Sequence, residues 1–84
     1  MKNLKIDKKQ KRAELNLNSV FYPEDIVKRA IKDFSGLFDT KLEREGDRIN
    51  IKLKLIARGV SIEDVTYEFI NYLLAEVKHS EVNV

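Results

Sequence analysis

Few residues in this chain could do chemistry, and their types and spacing bound what the protein can be. Metal chemistry would draw first on histidine and cysteine, but His79 is the single histidine and cysteine is absent. The acidic side chains alternate with bases instead of converging, so no metal and no cofactor is expected. His79 reads as a solvated residue near a helix end, where its cationic form suits the dipole. Nucleophilic catalysis needs a hydroxyl, a base beside it and a third group orienting that base. The aliphatic hydroxyls are Ser19, Ser35, Ser61 and Ser80 with Thr40 and Thr66. Ser61 is accounted for as a helix cap, and Ser35 lies beside a helix end. Gly36, Gly46 and Gly59 stand alone, each with a turn role, so no glycine-rich loop cradles a phosphate. The sequence therefore reads as non-enzymatic.

Binding chemistry has more to draw on. The net charge is +2, but residues 1–12 hold Lys2, Lys5, Lys8, Lys9, Lys11 and Arg12 against Asp7 alone. That segment reads as a basic, flexible arm able to touch phosphate or an acidic partner. The rest of the chain is net acidic. Nucleic acid is the alternative partner rather than the leading one. Arg48, Lys52 and Lys54 would share an open sheet face with Glu14, Asp39 and Glu43, and that face carries no aromatic ring on which a base could stack.

The elements that position these residues follow from periodicity. Ala13, Leu15 and Leu17 alternate with Glu14, Asn16 and Asn18, the pattern of a half-buried strand. Leu4 and Ile6 also alternate, but the polar run Asp7–Arg12 interrupts them. Pro23 opens a helix, with Glu24 and Asp25 in its first turn and Ile26, Val27, Ala30, Ile31 and Phe34 on one face. Gly36 is placed to end that helix in a left-handed conformation. Phe38, Thr40 and Leu42, then Ile49, Ile51, Leu53 and Leu55, make two alternating strands. Matching their apolar sets predicts Leu42 opposite Ile49 and Thr40 opposite Ile51, around a Glu45-Gly46 loop. That register also sets Glu43 against Arg48, Asp39 against Lys52 and Arg44 against Asp47. Ser61 then caps a second helix, with Asp64 three residues on.

The fold class expected is α+β, in the order strand–helix–strand–strand–helix, with a three-stranded sheet and both helices on one face. One domain spans residues 13–79, and residues 80–84 form a frayed tail. No stretch approaches the roughly 20 apolar residues that span a bilayer, and no signal-like apolar run follows Met1. A soluble, cytoplasmic protein without a membrane partner is the expectation.

The second helix is apolar over an unusually wide arc. Ile62, Val65, Thr66, Phe69, Ile70, Leu73, Leu74 and Val77 cover it, and Tyr72 widens it to roughly 200°, against the ~100° of an ordinary surface helix. Spare apolar surface on so small a domain points to a partner. Tyr67, Phe69, Asn71, Tyr72 and Leu73 are the residues expected to meet it, either in a homodimer or in a larger protein.

Two segments carry a family resemblance. Phe21-Tyr22-Pro23-Glu24-Asp25-Ile26-Val27-Lys28-Arg29-Ala30, with Phe34 following, resembles the first helix of the HxsD-like family. Glu68-Phe69-Ile70-Asn71-Tyr72-Leu73-Leu74 resembles its second helix, where an E-F-x-N-x-L-L pattern recurs. HxsD proteins accompany radical enzymes in a His-Xaa-Ser peptide maturation system. The resemblance, over roughly residues 13–77, implies a non-catalytic accessory role with no catalytic residues to carry over. The element order is also similar to that of the small dimerising subunit of the KEOPS tRNA-modification complex, which by analogy implies a homodimer or a subunit of an RNA-modifying assembly.

Overall fold

Leu4 and Ile6 belong to a strand, not to a free arm. The structure is a computed structural model that describes residues 3–82. Its elements are β1 (Leu4–Asp7), β2 (Arg12–Asn18), α1 (Glu24–Asp33), β3 (Phe38–Glu45), β4 (Arg48–Leu55) and α2 (Ile62–Val82). The α+β class matches expectation, but the sheet has four strands rather than three, in the order β1-β2-β4-β3. The polar run that interrupts the alternation is the turn of a hairpin joining β1 to β2. Asp7 closes that turn by accepting the Gln10 amide at 3.1 Å. Lys11 completes it at φ 56°, in the left-handed region that glycine usually fills. Residues 4–12 thus form a hairpin, with 4–7 and 12 in the sheet and 8–11 in its turn, and Lys2 lies outside the described residues. At the other end α2 continues through Val82, so the segment expected to fray from residue 80 is helical that far. Residues 83 and 84 of that tail lie outside the described residues.

Every neighbouring pair of strands is antiparallel. β2 and β3 therefore run parallel to each other with β4 inserted between them, a split strand–helix–strand unit. The β3–β4 register differs by two residues from the one expected. Leu42 faces Ile51, Thr40 faces Leu53 and Glu45 faces Arg48. A shift of two keeps every side chain on its expected face, but it moves the loop to Gly46-Asp47. The reason lies in the turn. A Glu45-Gly46 loop would place glycine second and require Glu45 to adopt a positive φ. Here Gly46 stands first with φ 58°, the glycine-first form that a two-residue hairpin accepts. Of the expected charge pairs, Asp39 now meets Lys54 and Glu45 meets Arg48, while Glu43 faces Asn50.

The buried face is made by Ala13, Leu15 and Leu17 of β2, Ile49, Ile51, Leu53 and Leu55 of β4, and Phe38 of β3. Both helices cover that face, α1 through Ile26, Val27 and Ala30 and α2 through Ile62, Val65, Phe69, Ile70 and Leu73. Leu15, Ile49, Ile51 and Phe69 are wholly buried, and each such side chain contributes on the order of 2 kcal/mol. Phe34, at the end of α1, meets Phe69 edge-on at 5.2 Å and Tyr72 at 5.6 Å between ring centroids. Helix α1 ends at Asp33 with Phe34 as its cap. Gly36 is not left-handed, so the chain leaves α1 by tight turns, with the Leu37 amide donating to the Phe34 carbonyl at 2.9 Å. Ser61 caps α2 as expected, its Oγ accepting the Asp64 amide at 3.1 Å.

Candidate interaction surface

The five residues expected to meet a partner divide between core and surface. Phe69 and Leu73 are buried in the domain's own core, which takes them off any docking face. The wide apolar arc is explained in part by this: α2 lies over the sheet and beside α1 at once. Tyr72 is half-buried on the α1 flank, where its ring covers Phe34 and its hydroxyl bonds Asp33. Arg29 and Glu76, 3.4 Å apart, tie the same flank one turn further along. Because Asp33 meets Tyr72 and Arg29 meets Glu76, the two helices run antiparallel. Tyr67 and Asn71 are exposed.

The opposite flank of α2 meets the β1–β2 turn at its first residues. Lys8, just past β1, holds Glu63 at 3.2 Å, and Glu63, Tyr67, Ile70 and Leu74 follow one another at helical spacing down that flank. Tyr67 is 52% exposed and Leu74 43% exposed. Leu74 was not among the expected contact residues; the signal for it was its spacing of seven from Tyr67. Leu4 and Ile6 of β1 are only partly buried against the core. Val20 and Phe21, in the turn after β2, and Ile56 and Val60, before α2, are further exposed apolar side chains.

The basic residues expected to form an arm are distributed by the hairpin. Lys8, Lys9 and Lys11 lie exposed in its turn, and Lys5 and Arg12 lie on the open face of the sheet. Across that face Arg12 stands opposite Lys54, which stands opposite Asp39; Glu14 stands opposite Lys52, which stands opposite Lys41. These side chains line a shallow concavity of about 510 Å³. Like charges thus sit side by side at Arg12–Lys54 and Lys52–Lys41, and acids interrupt them. Asn50 donates to Asn16 at 2.8 Å in the next row.

Catalytic geometry is sparse. Among the described residues no three His, Cys, Asp or Glu side chains are grouped to hold a metal ion, and His79 is exposed in the last turns of α2. Glu24, at the start of α1, is held below the ordinary carboxylate range by its bond with Lys28 and then by Arg44, both 3.3 Å away. That arrangement fastens α1 to β3. Among the described residues no helix is long and apolar enough to cross a membrane. No family model, no curated protein and no solved structure matches the chain.

Proposed function

We propose that this chain is a non-enzymatic interaction domain that pairs with itself and serves a larger protein assembly. One observation carries this reading. The core is complete without Tyr67 and Leu74, yet both lie exposed on the flank of α2 that Glu63 ties to Lys8, and β1 is an edge strand of the sheet. The HxsD-like resemblance supports the accessory role: its two segments become the start of α1 and the middle of α2, joined through the β3–β4 hairpin. Sedimentation equilibrium of the full chain tests the pairing, and a stable monomer at high micromolar concentration overturns it. A radical-enzyme gene beside this one is the check on the peptide-maturation role, and its absence removes that part of the reading.

A second reading is an RNA-associated module. It is favoured by the like-charged neighbours Arg12–Lys54 and Lys52–Lys41 on the open face. Like charges directly opposite one another are destabilising in a sheet, and a phosphate chain laid across them would relieve that repulsion.

A further inference from the structure

The free edge of β1 is built for one particular neighbour. The Asn16 amide donates to the Asn3 carbonyl at 2.9 Å, in the same register that pairs Leu4 with Leu15 and Ile6 with Ala13. Bonded and non-bonded pairs alternate along an antiparallel ladder. Lys5 and Asp7 therefore use their main-chain groups on β2, and the N–H and C=O of Leu4 and Ile6 point away from the sheet. Among the described residues nothing pairs with that row, which is a template for another strand.

The side chains select the occupant. Resting on the self-association proposed above, we infer that a second copy of this chain docks antiparallel along β1, with Ile6 opposite its own copy across a two-fold axis. In that register Ile6 exchanges both main-chain bonds with its copy. Lys5 falls opposite Asp7 of the copy, and Asp7 opposite its Lys5, both pairs on the open face. Moving the register two residues toward Leu4 sets Lys5 against its own copy, a like-charge contact. A shift by one residue sets the outward main-chain groups of Ile6 against Lys5 or Asp7 of the copy, whose own groups are already used on β2, so no ladder forms. The segment Lys5-Ile6-Asp7 is self-complementary in one register and frustrated in its neighbours. The arrangement is isologous, as a two-fold dimer requires, and it joins two four-stranded sheets into one. Both copies of α2 lie on the same side of the joined sheet.

The other edge is less suited. On β3, Lys41 already holds Glu43 at 3.6 Å, and Arg44 holds Glu24 at 3.3 Å. Lys5 makes no ion pair among the described residues.

Charge exchange tests the register. Full-length wild type, Lys5→Asp, Asp7→Lys and an equimolar mixture of the two variants are compared by sedimentation equilibrium. Each variant alone turns two attractive pairs into repulsive ones, and its dimer weakens by about ten-fold or more. The mixture restores association, because the acidic strand now faces the basic one. Amide exchange on the wild type is the second measurement: the Ile6 amide slows as protein concentration rises. A wild-type dimer whose affinity neither substitution changes, or whose Ile6 exchange is independent of concentration, overturns the β1 interface and leaves self-association standing. A wild type that stays monomeric overturns both.

Discussion

The phenol of Tyr72 donates a hydrogen bond to Oδ2 of Asp33, linking the middle of α2 to the last turn of α1. The same ring covers Phe34, which in turn meets Phe69 in the core. One side chain thus joins the helix layer to the buried aromatic cluster and anchors it with a polar contact at the surface.

The bond has a pH signature. It raises the Tyr72 pKa, chiefly through the Asp33 hydrogen bond, with burial and the Asp33 charge adding to it. The folded chain therefore keeps this proton to higher pH than the unfolded chain does. The stabilisation is fully present below the ordinary tyrosine value near 10 and is lost as pH rises through the raised folded value. Urea unfolding between about pH 9 and about pH 11 should show a steeper loss of stability in wild type than in Tyr72→Phe. Parallel curves would mean that the bond does not contribute.

Thr66 is wholly buried in α2, and its Oγ1 has no hydrogen-bond partner among the described residues. A buried, unpartnered hydroxyl is a net cost, and a side chain of the same shape without it relieves that cost. Thr66→Val should raise the unfolding free energy by about 1 kcal/mol, read from the urea midpoint. A loss of comparable size would show that the hydroxyl is bonded in solution.

Lys11 adopts φ 56° in the β1–β2 turn, where a Cβ crowds the following carbonyl at about 1–2 kcal/mol. Glycine relieves that strain but has more freedom to lose on folding. Lys11→Gly should therefore stabilise by on the order of 0.5–1 kcal/mol, seen as a higher melting temperature. The Lys11 carbonyl accepts the Leu55 amide at 2.9 Å, so a better turn should also slow amide exchange at Leu55.

The RNA reading stands or falls on the open face. Replacing Lys52 and Lys54 together by Glu leaves the core untouched, because both side chains are exposed. If the face binds single-stranded RNA, the double variant should lose most of its affinity, and its salt dependence should flatten by about two phosphate contacts. Equal binding by both proteins would remove this reading.

Both helices and three of the strands are legible in the residues, because their apolar periods are long enough to carry the signal. Ala13-Leu15-Leu17 and Ile49-Ile51-Leu53-Leu55 each supply a full buried row. β1 is obscured because it is four residues long and its turn contains neither glycine, proline nor asparagine; the left-handed position falls on a lysine. The β3–β4 register is obscured because a shift of two residues preserves every face, so apolar matching cannot distinguish the two alternatives; Gly46 makes the choice. The candidate surface is legible at Tyr67 and Asn71, which stay exposed. It is not legible at Phe69 and Leu73, since an apolar arc does not reveal how much of itself the neighbouring helix and sheet will cover.

The central place of β4 imposes an order of assembly. The two hairpins, β1 with β2 and β3 with β4, close over short loops and can form in microseconds, but neither has a covered face alone. The long-range step is the zipping of β2 onto β4, which encloses α1 and β3 in its loop. Until that seam closes, the chain holds two separate ribbons whose greasy sides are bare. Commitment to the native state should therefore coincide with the meeting of Leu15 and Ile51, which face each other at the middle of the seam.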